Sequence, residues 1–173
     1  MRIKISKVSS DQIETLQNIS IKTFTDTYGK QNTEKDLKDY FIKNYGLSKL
    51  NSEVQSDQSA YFFIYFGKQI AGYIKLNIGN NQTENISKES LEVQRIYIRK
   101  AFQRQGLGKQ LINFAINYAK ESNKKNIWLG VWEQNASAIS FYHAMGFKQV
   151  GSHHFILGSQ NQTDLIMEKP LAS

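Results

Sequence analysis

The most informative stretch of this chain reads Gln103-Arg104-Gln105-Gly106-Leu107-Gly108. It follows a predicted strand, residues 91–98, and precedes a predicted helix whose apolar residues recur at helical spacing. A helix N-terminus presents backbone N–H groups without intrahelical partners, and these groups attract anions together with the helix dipole. Glycine lets a phosphate approach the backbone closely, and Arg104 and Lys109 add positive charge. The stretch therefore predicts an anion-binding turn, and an ordinary strand-to-helix turn is the alternative.

Two other phosphate-binding motifs do not fit this turn. A dinucleotide-binding fingerprint requires a third glycine where the chain has Leu111. A Walker loop requires Ser or Thr after a Gly-Lys pair, whereas Gly108 and Lys109 are followed by Gln110. We therefore do not expect a nucleotide bound in either of these two ways.

The elements before and after the turn predict a single α+β domain that spans residues 1–173. Apolar residues at helical spacing indicate helices, and short runs of aromatic and β-branched residues indicate strands. In chain order we predict a strand at 2–8, three helices within 9–54, strands at 60–66, 69–78 and 91–98, a helix from 107, a strand at 126–132, a helix at 135–145, and strands at 147–157 and 163–168. This order is typical of a mixed sheet covered by helices.

Alternation along residues 91–98 predicts which side chains share a face of that strand. One face is expected to carry Leu91, Val93, Arg95 and Tyr97, and the other Glu92, Gln94, Ile96 and Ile98. Glu92 and Gln94 are therefore predicted to point into the same space.

The composition excludes several kinds of site. The 173 residues include no cysteine, which rules out disulfides, thiolate zinc sites, iron–sulfur clusters and a thiol nucleophile. The three histidines, His143, His153 and His154, lack the helical spacing of a metal-binding pair. We therefore predict no metal site.

The charge balance suggests a polyanionic partner. Twenty-two Lys and Arg residues against 15 Asp and Glu residues give a formal net charge of +7 at pH 7. Nucleic acid, a membrane surface and a phosphate-bearing cofactor all fit such a charge, and so does a basic surface without a specific partner. The N-terminus has no long apolar segment, and the longest apolar run, residues 60–66, is too short to cross a bilayer. We therefore predict a cytoplasmic protein without a membrane partner.

Two sequence blocks resemble those of a known enzyme family. Gln103-x-x-Gly106-x-Gly108 resembles the Q/R-x-x-G-x-G/A signature of the GNAT superfamily of N-acetyltransferases. Residues 131–147 resemble the second family block, a strand followed by N-x-x-A and F-Y-x-x-x-G-F. With the order of the elements, the resemblance covers nearly the whole chain. It implies a GNAT-like mixed, mostly antiparallel sheet flanked by helices, and an enzyme that transfers an acetyl group from acetyl-CoA to an amine.

Segments in the N-terminal half and around the central strands resemble one branch of this superfamily, the PaiA-type polyamine acetyltransferases. These segments are residues 24–29, 71–76, 91–98 and 127–132. The resemblance implies a small-molecule amine as substrate, with spermidine and spermine as the expected polyamines. Another small amine and a protein N-terminus remain alternatives.

The resemblance also implies which residues bind acetyl-CoA. In the family, backbone amides of the Gly-rich turn hold the pyrophosphate, and the end of the preceding strand pairs with the pantetheine arm. The implied residues of this chain are Ile96, Tyr97, Ile98, Gln103, Arg104, Gln105, Gly106, Leu107, Gly108, Lys109, Asn135 and Tyr142. Asn135 also suits a helix N-cap, a role compatible with cofactor binding.

Two residues are candidates for the proton transfers. Tyr142 matches the family tyrosine whose hydroxyl lies near the CoA sulfur, and a phenol is protonated at neutral pH. Its alternative role is that of a buried aromatic residue. The family often places a basic carboxylate on the strand of residues 91–98, but the usual position falls on Gln94, which cannot take a proton. Glu92 is therefore the candidate base, acting through water, unless it is a structural carboxylate or the amine arrives neutral.

The remaining expectations concern the substrate and other function classes. Because there is no cysteine, direct attack of the amine in a ternary complex is expected. Asp26, Glu34, Asp36 and Asp39, with Tyr28 and Tyr40, could supply a cation-binding rim, but a solvated helix face is the favoured interpretation for most of them. A nucleic-acid-binding regulator is disfavoured because no helix-turn-helix pattern or clustered basic helix is present, and a non-catalytic acyl-CoA sensor is a further alternative. The final strands could pair across a two-fold axis in a homodimer.

Overall fold

One seven-stranded sheet organises the chain, whose computed structural model describes residues 2–84, 86–158 and 160–172. The strands are β1 (Ile3–Lys7), β2 (Ser59–Phe66), β3 (Gln69–Asn77), β4 (Ser90–Ile98), β5 (Asn126–Trp132), β6 (Lys148–Leu157) and β7 (Gln160–Pro170), and the helices are α1 (Ile13–Tyr28), α2 (Glu34–Tyr45), α3 (Leu47–Gln55), α4 (Leu107–Glu121) and α5 (Ala136–Ala144). The predicted order of strands and helices is confirmed. Within the described residues, no helix is long and apolar enough to cross a membrane.

The strands lie in the order β1-β2-β3-β4-β5-β7-β6. Only β4 and β5 pair in parallel, and every other neighbouring pair is antiparallel. The predicted mixed, mostly antiparallel sheet is therefore confirmed.

Local sequence explains where several of the helices and strands begin or end. The Thr33 side chain accepts a hydrogen bond from the Asp36 N–H at 3.1 Å and caps α2, while Gly67 turns the β2–β3 hairpin with φ of +62°.

The two faces of the sheet carry separate hydrophobic cores. On one face, α4 and α5 pack their apolar residues, including Leu111 and Tyr142, against the central strands. On the other face, α1, α2 and α3 bury Leu16, Phe24 and Leu50 against the aromatic residues of β2 and β3. The helices thereby cover both sides of the strands that line the site.

A β-bulge in β4 changes which residues share a face. In the β3–β4 register Lys75 pairs with Arg95 and the next residue, Leu76, pairs with Val93, so Gln94 is an extra residue in β4. Leu91 and Val93 therefore share the α4-side core with Ile96 and Ile98, whereas Arg95 and Tyr97 contact the core beneath α1 and α2. The predicted alternation is wrong from residue 95 onward, because one inserted residue reverses every side chain that follows it.

β4 and β5 pair only along their first halves. Their parallel register runs from Ser90 with Asn126 to Val93 with Leu129, and both strands continue past this last pair, to Ile98 and Trp132. Since neighbouring strands otherwise share their N–H and C=O groups, the later residues of β4 keep one edge of their backbone free on the side that faces β5. A cleft opens between the two strands at this point.

A buried polar cluster fixes the α1–α3 face of β4. The Lys75 ammonium lies 3.1 Å from a Glu53 carboxylate oxygen, and the Tyr61 hydroxyl donates to the other oxygen at 2.7 Å. Arg95 donates to the Tyr61 hydroxyl at 2.9 Å and stacks on Tyr45, 4.9 Å from its ring centroid. Burial raises the pKa of the Glu53 carboxyl, but Lys75 and Tyr61 outweigh burial and hold it below its ordinary value.

Replacing Glu53 should therefore destabilise the fold. We expect Glu53→Ala to lower the free energy of unfolding in urea by about 2–4 kcal/mol, because it leaves the buried Lys75 ammonium without its carboxylate. Asp39→Ala is the matched control. The side chains of the Lys35–Asp39 ion pair are 84% and 60% exposed, respectively, so this pair should contribute less than about 0.5 kcal/mol to the free energy of unfolding. Equal losses in the two variants would contradict this account.

Candidate active site

A cleft of about 690 Å³ opens where β4 and β5 separate, and we call it the main cleft. It brings together eleven of the sequence-predicted residues: Ile96, Tyr97, Ile98, Gln103, Arg104, Gly106, Leu107, Gly108, Lys109, Asn135 and Tyr142. Gln105 is exposed and does not line the cleft. Glu92 lines a neighbouring cavity instead.

The Gly-rich turn closes one end of the main cleft. Gly106 has φ of +80° and Arg104 has φ of +65°, so two residues of the turn adopt the left-handed conformation. The first intrahelical hydrogen bond of α4 runs from the Gln110 N–H to the Gly106 carbonyl at 3.2 Å. The amides that precede Gln110 in the helix have no intrahelical acceptor, and the positive end of the helix dipole lies at the same place. This arrangement suits a phosphate group.

The turn is tied to the free part of β4. The Gln103 side-chain amide donates to the Ile98 carbonyl at 3.1 Å. The amides at the start of α4 and the open edge of β4 are thus held as one continuous surface. A ligand with a phosphate at one end and an extended, amide-containing arm fits these two features.

α5 supplies the opposite wall of the main cleft. The Asn135 side chain accepts a hydrogen bond from the Ala138 N–H at 3.2 Å, so Asn135 caps α5 while it lines the cleft. The Tyr142 ring packs against Phe141 and Phe147, with centroids 5.3 and 5.8 Å away. Burial raises the pKa of Tyr142 above its ordinary value, and the hydroxyl therefore stays protonated at neutral pH. A protonated phenol in this position is suited to donate a proton.

A second cavity of about 220 Å³ adjoins the main cleft, and we call it the side cavity. Residues that line both spaces are Tyr28, Gln94, Arg95, Tyr97, Gly130 and Trp132. Aromatic rings form much of its wall. The ring centroid of Phe24 lies 4.3 Å from that of Tyr40 and 4.5 Å from that of Tyr28, and the centroids of Tyr28 and Trp132 are 5.4 Å apart. Its charged residues are Glu84, Glu92, Arg95, His153 and Asp164.

The Glu92 carboxylate is buried and hydrogen-bonded. Its Oε1 accepts from the Asn77 side-chain amide at 3.0 Å and from the Thr83 N–H at 2.8 Å, and its Oε2 accepts from the Thr83 hydroxyl. The Asn77 amide also donates to Gln94 at 2.8 Å, so Glu92 and Gln94 do lie on the same side of β4. These contacts fasten the loop after β3 to β4.

Asp164 is a lining residue that our sequence analysis missed. Its Oδ1 is buried and has no hydrogen-bond partner among the described residues. Burial raises the pKa of the Asp164 carboxyl to about 6, although His153 acts in the opposite direction. The available signal was an acidic residue directly before the apolar run at 165–167.

The acidic residues of α1 and α2 do not form the possible cation-binding rim, and most of them lie on a solvated helix face, the interpretation that the sequence favours. Tyr28 and Tyr40 line the side cavity, but none of the four helix carboxylates Asp26, Glu34, Asp36 and Asp39 lines either cavity. Asp26, Glu34 and Asp39 are exposed, because they lie on the solvent side of α1 and α2. The carboxylates of the side cavity come from the loop after β3, from β4 and from β7 instead.

The residues that the structure describes hold no group of three or more His, Cys, Asp or Glu side chains arranged to bind a metal ion.

Known proteins resemble this chain over its full length. An uncharacterized N-acetyltransferase in the pepI 3' region of Lactobacillus delbrueckii subsp. lactis is 39% identical over 169 residues, which are 98% of each chain. A spermidine N(1)-acetyltransferase of Thermoplasma acidophilum is 27% identical over 177 residues and covers 100% of each chain. The solved structure of PaiA N-acetyltransferase from Thermoplasma acidophilum, in complex with coenzyme A, superposes with a TM-score of 0.80 at 26% identity and covers 98% of this chain and 99% of that one.

A family model gives the same assignment as these relatives. The model of the acetyltransferase (GNAT) family matches residues 14–147, which include the Gly-rich turn, both separating strands and α5. The resemblance predicted from the two sequence blocks is confirmed, and this chain belongs to the GNAT family of N-acetyltransferases.

Proposed function

We propose that this N-acetyltransferase transfers the acetyl group of acetyl-CoA to a primary amine of a polyamine such as spermidine or spermine, by direct attack in a ternary complex. The observation that carries this proposal is the meeting of two cavities between β4 and β5. One cavity has an anion-binding turn and an open strand edge, and the other has aromatic walls and carboxylates. The donor and the acceptor thereby have separate binding spaces that join at one point.

The main cleft fits acetyl-CoA, the acetyl donor of this family. The thioester supplies an activated acetyl group when it is bound. The amides at the start of α4, with Arg104 and Lys109 beside them, are suited to hold its phosphates. The free backbone edge of β4 at Ile96–Ile98 is suited to pair with the pantetheine arm as an added strand and to polarise the acetyl oxygen through one amide.

The side cavity fits a cationic amine. Ammonium groups are stabilised by the faces of aromatic rings and by carboxylates, and both line this cavity. Glu84, Glu92 and Asp164 supply three carboxylates, whereas the Arg95 guanidinium is engaged by the Tyr61 hydroxyl and the Tyr45 ring. The Thermoplasma relative named as a spermidine N(1)-acetyltransferase supports a polyamine as the acceptor.

Tyr142 is proposed to protonate the departing sulfur. It lies in the main cleft on α5, and its protonated hydroxyl matches the need of a thiolate leaving group. The backbone groups of Ile96, Tyr97 and Ile98 would hold the acetyl group opposite it.

An acceptor panel tests the proposed function. We expect the purified protein to release CoA thiol from acetyl-CoA in the presence of spermidine or spermine, and to release less with aminoglycosides or short peptides. A stronger response to peptides would reassign the acceptor to a protein N-terminus. No thiol release with any amine, in a protein that still binds CoA by calorimetry, would favour a non-catalytic acyl-CoA sensor.

Tyr142→Phe should lower kcat by about 10²-fold or more, because it removes the proposed proton donor but keeps the packed ring. The dissociation constant of CoA, measured by calorimetry, should change little. An unchanged kcat would remove Tyr142 from the mechanism, and a lost affinity would make it a binding residue.

Gly106→Ala should weaken binding of acetyl-CoA. Holding an alanine at the φ of +80° that residue 106 adopts costs about 1–2 kcal/mol, so the turn of the unbound variant should relax to another conformation. Binding of acetyl-CoA would then have to restore the original conformation at that cost. We expect a rise of about five-fold or more in the dissociation constant, measured by calorimetry. Gly67→Ala is the matched control: it introduces a similar strain at φ of +62° in the β2–β3 hairpin, outside both cavities, and should lower thermal stability without changing the affinity.

A further inference from the structure

We propose that Asp164 is the general base of the reaction and accepts a proton from the ammonium group of the acceptor. This inference rests on the proposed function, because it needs an amine in the side cavity. It places the base on β7, whereas the sequence alone favours Glu92 on β4.

Asp164 lies where the two cavities join. In the sheet it pairs with Trp132 of β5 on one side and with His153 of β6 on the other. Its carboxylate lies over Gly130, since a Cβ placed on Gly130 would be 3.3 Å from the Asp164 Oδ2. Gly130 and Trp132 line both the main cleft and the side cavity. Asp164 itself lines the side cavity, so a proton acceptor at this point lies on the acceptor side of the junction with the main cleft.

Asp164 is also the carboxylate of the side cavity whose lone pairs are least engaged. Its Oδ1 is enclosed by the protein and its Oδ2 lies beside Gly130, and neither oxygen has a hydrogen-bond partner within the described chain, so Oδ2 is the oxygen placed to receive a proton. Glu92 accepts three hydrogen bonds from Asn77 and Thr83, and Glu84 forms an ion pair with the His153 imidazole. A base must have a lone pair free to receive the proton, and this requirement favours Asp164.

The protonation equilibrium of Asp164 suits the role. Burial brings its pKa to about 6, so the carboxylate is mostly ionised at neutral pH yet more basic than an exposed one. Burial raises the pKa of Tyr28, and the Asp164 carboxylate acts in the same direction. The titratable and charged groups that face Asp164 from the surrounding elements are Tyr28 of α1, Tyr40 and Tyr45 of α2, Glu84 of the loop after β3, Glu92, Arg95 and Tyr97 of β4, and His153 of β6.

The protons balance with these residues. The ammonium nitrogen loses one proton to Asp164 before the N–C bond forms, and Asp164 later releases that proton to water. As the C–S bond breaks, Tyr142 gives its proton to the sulfur. The nitrogen then loses its second proton, which restores the Tyr142 hydroxyl. One acetyl group moves, and one proton is released in total.

The pH dependence of turnover tests the proposal. For the wild-type enzyme, kcat/KM for spermidine should fall as the pH drops through about 6, because Asp164 becomes protonated. Asp164→Asn should lower kcat at about pH 7.5 by about 10²-fold and should lose this acidic limb, with a much smaller change in KM. Glu168→Gln removes a carboxylate on the same face of β7 outside both cavities and should keep the rate and the profile of the wild type. Glu92→Gln should keep the acidic limb.

A second acceptor amine distinguishes two roles of Asp164: a general base, and a carboxylate that only binds the ammonium group. The loss caused by Asp164→Asn should shrink several-fold with trifluoroethylamine, a primary amine that is largely neutral at the assay pH, because such an amine needs no base for its first proton. If the variant instead shows a raised KM, an unchanged kcat and an intact acidic limb, Asp164 only holds the cation and the proposal is overturned. If the wild-type enzyme acetylates spermidine and Asp164→Asn turns it over at the same rate at every pH, this inference is overturned, but the proposed function still stands.

Thermal unfolding provides a readout that needs no turnover. Because the pKa of Asp164 is raised in the fold, its contribution to stability is present at low pH and is lost as the pH rises through about 6. Asp164→Asn should therefore raise Tm by about 2–4 °C at pH 7.5 relative to the wild type, and this gain should vanish near pH 4. An equal Tm difference at both pH values would show that the carboxylate is not held in this state and would contradict the proposal.

Discussion

Pairing between β4 and β5 stops at Val93 and Leu129, and the arrangement of the site depends on that interruption. Strands in a sheet normally satisfy each other's backbone groups, so a stretch left with a free edge would be unfavourable unless a ligand completed it. Here the stretch is held open by the helices on both faces and by the Gln103 contact to the Ile98 carbonyl. The sheet therefore leaves one place for an extended ligand to act as the missing strand.

The bulge at Gln94 gives the same strand a second task. Because it reverses the alternation, β4 sends Ile96 and Ile98 into the core under α4 and turns Arg95 and Tyr97 toward α1 and α2. The interruption opens the cleft, and the bulge decides which side chains face the space behind it. Glu53, Lys75 and Tyr61 then hold Arg95 in a buried polar cluster, so the strand cannot easily return to a regular register.

Local chemistry made the fold and the main cleft predictable. The turn at 103–108, the cap at Asn135 and the aromatic pair at Phe141 and Tyr142 each depend on neighbours a few residues away. The bulge could not be predicted, since it arises from the register of β4 against β3. Asp164 was missed for a similar reason: pairing between β5 and β7 sets it beside Trp132, about thirty residues earlier in the chain. The exposed Asp26, Glu34 and Asp39 agree with the solvated helix face that the sequence favours, because the apolar residues of α1 and α2 take the side that meets the sheet.

The two cavities are lined by different kinds of groups. Backbone amides and a free strand edge form much of the main cleft, so many side-chain replacements there would leave its shape intact. The selective features of the side cavity are side chains from α1, α2, the loop after β3, β4, β5 and the β6–β7 hairpin. Under the proposed assignment of the two cavities, replacements at residues that line only the side cavity, such as Tyr40, Glu84 and Phe155, would change which amine fits and leave the lining of the main cleft unchanged.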